Sequence, residues 1–586
     1  MLHLVIGMVC AAAAAADWSV VDYGAVGDGA ADCTEAFQQA LDAAGDAGGG
    51  VVRIPAGVYR IDGTLRIPAA VTLEGVFRTP ANGWRQGGEA GEGTSLYAFA
   101  GRGAPDSAPF ITLAGTGATI KGITIGYPEI STEDVPPIPY PPTIYSHGTE
   151  NVSVQDVCLM PCYEGIHFDT AHRHLVRNVY GYPLMRGLYV DGCMDIGRVE
   201  NVHFWPFGVA YKPDDPFCKW VNVNGVAFEF ARTDWQYVTN TFCFGYGVGY
   251  KFSQSDKGAC NGNFLGIGAD SCQRAVLVEQ CQLSGLLITN GEFVGRWSST
   301  DSVCVEIAES VSGGKVSLNN CSFWGPIDRC IWMRSKAAQV TANACHFCDW
   351  DFSFTGRPAI EIDAGKAIIQ GCTFLDGDTH VAVGPAVRSA ILTANQAEGG
   401  FRFTNQAGAR TQAGLNEEFI VAWPDGAAKA YAIDIGAAGD RAYLTRWYGR
   451  EKGQDPDDPE STMRWATVGS RFLLPVTPGV AYNVTVHVGI PEHAVDAAAG
   501  LYLGDERIAA FPETAGPAVV TGVIPATDAS EVTLELRAAS WRPCDVMPGN
   551  GDSRTLTANC SRIEMRAADA PGDIPLFDAN GAASAQ

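Results

Sequence analysis

The chain has 586 residues, a formal net charge of −25, 68 glycines, 10% aromatic and 18% charged residues. That length is too great for one ordinary domain unless a repeating core is extended coil by coil, so two domains are expected. The composition excludes disorder and coiled coil in favour of a turn-rich β protein, and the acidic balance excludes nucleic acid, whose phosphates require Lys and Arg in excess. A polyanionic glycan would need local cations to reverse this field, whereas a neutral one would not.

Residues 2–16 are a short apolar run ending in an alanine tract before Asp17. This suits a secretory signal peptide cleaved near Ala16, and it is too short to span a bilayer. A secreted or periplasmic protein with no membrane insertion is therefore expected. Residues 20–29 read Val-Val-Asp-Tyr-Gly-Ala-Val-Gly-Asp-Gly. The next segment has Thr34 as a helix N-cap and Phe37 and Leu41 on one stripe, and residues 48–61 follow as an apolar strand region. This strand, helix and strand resemble the N-terminal cap of the pectate lyase superfamily, where the Asp-Tyr-Gly-Ala-x-Gly-Asp-Gly signature opens a right-handed parallel β-helix. The resemblance implies a polysaccharide-active, polygalacturonase- or pectate-lyase-like protein, with a cap that shields the first coil (17–65) from edge pairing. It also implies that Asp22, Asp28 and Asp32 are structural.

Two excursions interrupt the first coils: residues 78–103, rich in Gly, and residues 127–143, rich in Pro. On a solenoid such insertions build one wall of a groove. From residue 151 a phrase repeats: Gly-Ile-His-Phe-Asp at 165–169, Gly-Leu-Tyr-Val-Asp at 187–191 and Gly-Val-Ala-Phe-Glu at 225–229, the first two 22 residues apart. Apolar residues alternate with outward ones, as in strands with one buried face. Stacked coils lie about 4.8 Å apart, so residues at one phase form a row along the sheet. The row inferred is Asp169, Asp191, Glu229, Lys251, Glu279, Glu306, Arg334 and Asp363. From Glu279 onward it reads as a solvated edge of alternating charge.

The upstream half gathers more chemistry. Glycoside hydrolysis needs two carboxyl groups at separations that neighbouring or next-neighbouring coils supply. Asp191 and Glu229 are the expected reacting pair, with Asp169 tuning or replacing one of them. His167, Arg186, Lys251 and Asp234 are expected to hold sugar hydroxyls, and Trp205, Trp235 and Tyr246 to stack on sugar rings. If residues 208–212 form a rung, Asp191 and Glu229 are two coils apart; if they are an excursion, the two are neighbours. The 17 residues from Lys212 to Glu229 are short for a coil and favour the excursion.

The Asn-Thr-Asp, Gly-His-Gly and Arg-Ile-Lys motifs of the polygalacturonase branch are absent. The family's lyases, which pair a calcium-binding acidic cluster with an Arg or Lys base, are imitated by Lys212 with Asp214 and Asp215, or by Lys251 with Glu229. The leading expectation is a glycoside hydrolase without cofactor or metal. A polysaccharide lyase, which would add calcium, and a non-catalytic glycan-binding adhesin or tailspike-like protein are the alternatives.

Of 18 cysteines, Cys321, Cys345 and Cys372 each precede a Phe by two residues and are expected as stacked free thiols. Cys158 with Cys162, Cys345 with Cys348 and Cys544 with Cys560 are the bridge candidates, and no spacing suits zinc. After a polar linker at residues 399–416 the rhythm stops. Short alternating runs over residues 416–570 are expected to form a β-sandwich, a candidate carbohydrate-binding domain, and residues 571–586 a disordered tail.

Overall fold

The computed structural model describes residues 17–78, 92–212, 215–296, 301–325, 327–351, 355–375, 379–397, 400–417, 426–453, 461–548, 550, 552 and 554–584. The signal-peptide segment, Asp214 and most of the Gly-rich excursion lie outside the described residues.

The first architecture is a right-handed parallel β-helix with three faces. On the first face one buried ladder runs Ile144, Ile166, Leu188, Phe228, Tyr250, Val276, Val305, Ile331, Ile360 and Val381, each the register partner of the next. A second face stacks Val154, Val176, Val199 and Val238 in the same way, and a third stacks Cys243 on Ala269 and Phe293 on Phe323. These side chains form one continuous core. Alternation accounts for this arrangement, because every second residue of each strand points inward and must be apolar. The bend between the second and third faces needs a left-handed residue, and Asn178, Asn201, Asn240, Asn290 and Asn320 supply it with φ of 51–57°. Asparagine tolerates that conformation better than most residues. The corner amides also stack, with Asn201 donating to Asn178 at 3.0 Å and Asn320 to Asn290 at 2.8 Å.

The cap follows the expected order. Its helix spans Thr34–Asp46 and buries Phe37 and Leu41. Cys33 occupies the N-cap position, and the Asp32 carboxylate accepts from the Thr34 backbone N–H at 3.0 Å and from the Asp62 N–H at 3.1 Å, a structural role. In the Pro-rich excursion Tyr127 and Tyr140 fold back onto Phe110 and are buried. Residues 205–212 form no strand, and the helix Pro216–Asn224 follows, capped by Asp215, whose carboxylate accepts from the Phe217 and Cys218 N–H groups. The segment is thus an excursion, and the strand Leu175–Asp191 pairs directly with Val226–Phe230.

The stretch read as a linker continues the solenoid. Phe403–Asn405 and Thr411–Gly414 add a final partial coil to the first and second faces. Among the described residues, ten strands beyond it form a mainly antiparallel sandwich around their own core. The long strand Thr462–Pro475 pairs with Asn559–Ala567 at its start and with Glu531–Arg537 at its end, so it passes from one layer to the other. Within the segment expected to be a disordered tail, Phe577 pairs with Tyr431, and Asn580 bonds both backbone groups of Asp434. All the bridge candidates are free thiols. Cys321, Cys345 and Cys372 precede the register-matched residues Ser322, His346 and Thr373, and all three are buried in a stack.

Candidate functional site

The first face carries the candidate site on its outer side, but its rows differ from the inferred one. Asp169 pairs with Asp191, as expected. Glu229, however, pairs with Tyr189 on one side and Lys251 on the other, and Lys251 pairs with Leu277. The inferred line therefore joins two outward rows offset by two residues. The true central row is Tyr145, His167, Tyr189, Glu229 and Lys251, followed by Leu277 and Glu306. Asp191 and Glu229 are on neighbouring coils but sit diagonally.

Both aspartates are committed to protein donors. A two-residue turn between Ser255 and Gly258 closes a small antiparallel hairpin and carries Lys257 back over the face. The Lys257 ammonium hydrogen-bonds Asp169 and reaches Asp191 Oδ2 at 3.3 Å. His147 Nδ1 lies 2.9 Å from Asp169 Oδ2, and Thr170 donates to Asp169 Oδ1 at 3.0 Å. Asp191 Oδ1 accepts from Ser255 Oγ at 2.8 Å and from the Arg232 N–H at 3.0 Å. Burial pushes the Asp169 carboxyl up, but hydrogen bonds from Lys257, Thr170 and His147 outweigh it and hold its pKa below the usual carboxylate value. The bond to Asp169 correspondingly raises Lys257.

The carboxylates of the central row are also paired, though loosely. Arg186 spans Glu164 at 3.4 Å and Glu229 at 3.3 Å and lies 4.5 Å above the Tyr189 ring. Lys251 sits 3.7 Å from Glu229 and 3.4 Å from Glu279. Glu229 is 7% exposed, so its charge is held against the face.

Between these pairs stand three side chains with free polar groups. The rings of Tyr145 and His167 meet edge to face at 5.3 Å, and those of His167 and Tyr189 at 4.8 Å. His167 Nδ1 is buried and 3.3 Å from Glu164 Oε1, a contact that becomes an ion pair on protonation but lacks hydrogen-bond alignment. Among the described residues, Nε2 of His167 and the hydroxyls of Tyr145 and Tyr189 have no hydrogen-bond partner. Burial, followed by the charges of Asp191 and Glu229, pushes the Tyr189 phenol up to about 12, partly offset by Arg186 and Lys257. It is therefore a neutral proton donor near pH 7. Downstream the face opens into a cleft of about 670 Å³ lined by Gln254, Gln273, Arg274, Leu277, Glu279 and Glu306.

Other expected residues lie elsewhere. Tyr246 is fully buried and donates to the Pro183 carbonyl at 2.8 Å, so it cannot stack on a sugar. Trp205 follows the third-face end of the strand Arg198–Phe204 and packs on Phe244 at 4.4 Å, away from the carboxylates. Trp235 is 59% exposed at the corner leading to the second face. Asp234 is engaged by both terminal nitrogens of Arg232 and by Gln282. Arg186, Lys251 and His167 do converge on the central row. Tyr145, Tyr189, Glu164, His147 and Lys257 were missed. Tyr189 was legible as an outward residue between Leu188 and Val190, whereas Lys257 arrives through a hairpin that leaves no mark in the repeat.

Among the described residues no group of three His, Cys, Asp or Glu could hold a metal ion. The oxygens of Asp169 and Asp191 already face ammonium, hydroxyl and N–H donors, which does not fit a calcium cage.

Residues 18–94 match the family model described as rhamnogalacturonase A/epimerase, pectate lyase-like. The match covers the cap and the first strands that follow it. Mannuronan C5-epimerase AlgE3 of Azotobacter vinelandii is 50% identical over 66 residues, which is 10% of this chain and 4% of that protein. Alginate lyase 7 of the same organism is 53% identical over 47 residues, 8% of this chain and 6% of that protein. The chain thus spans only a small fraction of these relatives. The solved A-module of mannuronan C-5 epimerase AlgE4 from Azotobacter vinelandii superimposes with a TM-score of 0.42 at 16% identity, covering 68% of this chain and 98% of that one. Among the described residues no helix is long and apolar enough to cross a membrane.

Proposed function

We propose that this is a polysaccharide-modifying enzyme that acts on a uronate-containing glycan by removing the proton beside the sugar carboxylate. The observation that carries the reading is the His167–Tyr189 contact of 4.8 Å between Arg186 and the Lys257-bound aspartates. His167 Nε2 is the base that takes the C5 proton. Arg186 and Lys251, each held by two contacts of 3.3–3.7 Å, turn to the substrate carboxylate and stabilise the charge that develops there. Tyr189 returns a proton. Delivered to C5 from the other face, that proton gives the epimer. Delivered to the O4 leaving oxygen as the C4–O bond breaks, it accompanies a C4–C5 double bond and chain cleavage. The short similarities to mannuronan C5-epimerases and an alginate lyase support this class of reaction. The local cations answer the chain's negative charge, which would otherwise repel a polyuronate.

The glycoside hydrolase reading rests on Asp191 and Glu229. These two sit diagonally on neighbouring coils, and each is within ion-pair distance of a cation. The lyase reading with calcium fits the donor set poorly, so no step here passes through a metal. The discriminating experiment incubates the protein with polymannuronate and polygalacturonate in D2O. Deuterium at C5 without chain cleavage identifies epimerisation, and a double-bond absorbance identifies elimination. New reducing ends with neither signal would restore the hydrolase and refute the proton-abstraction reading.

A further inference from the structure

The sandwich contains a cleft of about 630 Å³ that no role at the β-helix face explains. Trp465 and Trp541 line it, with their rings edge to face at 5.8 Å. Both indole N–H groups are already used: Trp465 donates to Glu451 at 3.2 Å and Trp541 to the Thr557 carbonyl at 3.0 Å. The rings therefore offer the cleft carbon surface. Asn559 also lines it and is only 8% exposed. Among the described residues its side-chain amide has no protein hydrogen-bond partner, so both its oxygen and its nitrogen are available to a ligand in the cleft. The amide is reachable because Gly489 lies beside it; a Cβ there would stand 2.5 Å from Asn559 Oδ1 and 2.8 Å from Nδ2. His487 and Ser561 add further polar edges, and among the described residues no Asp, Glu, Lys or Arg lines the cleft.

We infer that this cleft binds a short segment of neutral glycan, with sugar rings against the indoles and the Asn559 amide exchanging hydrogen bonds with ring hydroxyls. Aromatic carbon surface beside a primary amide matches the alternating CH faces and hydroxyl edges of a hexose. Among the described lining residues no cation would pair a uronate carboxylate, which would be desolvated without a partner. A purely apolar ligand would leave Asn559 unsatisfied. The molecule thus carries two glycan sites of opposite charge preference: the Arg186 and Lys251 face for an acidic chain and the sandwich for a neutral one. The sandwich site does not depend on the reaction assigned to the β-helix.

The test is calorimetric titration of the full-length protein with neutral cello-, manno-, galacto- and xylo-oligosaccharides and, separately, with tetramannuronate. At least one neutral series should bind. Asn559→Ala and Gly489→Ala should each weaken that binding tenfold or more, while the affinity for tetramannuronate at the β-helix stays unchanged. Should those two variants fail to fold, Val519→Glu on the rim, where Val519 is 64% exposed, should give the same loss. No binding by any neutral series, or binding that persists in folded variants, overturns the inference. So does loss of tetramannuronate binding in the sandwich variants. Failure of the β-helix to process polyuronate leaves the neutral titration readable and refutes only the reading of the first face.

Discussion

Tyr189 and Glu229 are register partners on adjacent coils, so the phenol stands over a buried carboxylate with Arg186 stacked on its ring. Burial, followed by the charges of Asp191 and Glu229, keeps the proton on the phenol, which suits Tyr189 to the donor role proposed above, with His167 as the proposed base. Removing the hydroxyl with Tyr189→Phe should lower kcat by about 10²–10⁴-fold while KM changes little, since the ring and its stacking remain. His167→Gln should do the same. Steady-state kinetics on polyuronate check both, and full activity of either variant would remove that group from the reaction.

Arg186 and Lys251 are expected to act mainly through the substrate carboxylate. Arg186→Ala or Lys251→Met should raise KM about tenfold or more, and the salt dependence of kcat/KM should flatten as one charge contact is lost. If KM were unchanged at low ionic strength, neither cation would touch the substrate.

Lys257→Met tests the brace on Asp169 and Asp191. The folded pKa of Asp169 is depressed. Its pairing therefore contributes stability above the unfolded value of about 3.9, and that contribution is lost as pH falls through the lower folded value. The pair is partly exposed, so the variant should lose about 1 kcal/mol at pH 7. Thermal melting curves of the two proteins should converge below about pH 3. A constant gap at all pH values would refute the assignment.

Asp270 behaves in the opposite sense. Burial pushes its carboxyl up to about 6, only partly countered by the Ser271 N–H. The folded state favours the protonated form, so stability falls as pH rises from about 4 to 6 and stays lower above that window. Asp270→Asn should remove this slope and add about 1–2 kcal/mol at pH 7. Melting temperatures at pH 4 and pH 7 would show it, and an unchanged difference between those two pH values would contradict it.

The solenoid was readable because alternation and a repeating phrase survive in the sequence, and the cap because its glycine-rich signature is local. The register of the site was not, for a physical reason. Val226, Phe228 and Phe230 alternate, so two alignments bury apolar residues equally well. Gly187 decides between them: a Cβ there would press into the Ala227 carbonyl oxygen and lie 2.6 Å from the Phe204 ring. From Ile166 to Ile360 the position just before the inward residue therefore stays small, along Gly165, Gly187, Ala227, Gly249, Ala275, Cys304, Cys330 and Ala359. Counting from that column instead of from the first glycine of each phrase would have placed Glu229 beside Tyr189. The fate of Tyr246 shows the complementary limit, since nothing in its neighbours distinguishes a tyrosine whose hydroxyl ends on a buried carbonyl from one that faces solvent.

The hairpin that carries Lys257 has one more consequence. Its ammonium reaches Asp169, 88 residues earlier, across the intervening coils of Asp191 and Glu229. Most contacts in a solenoid report only on the next coil, but this one exists only when four successive coils are stacked in register. The contact therefore reports on four coils at once: a chain truncated before Lys257, or slipped by one coil, lacks it, and the two aspartates then lose the Lys257 ammonium.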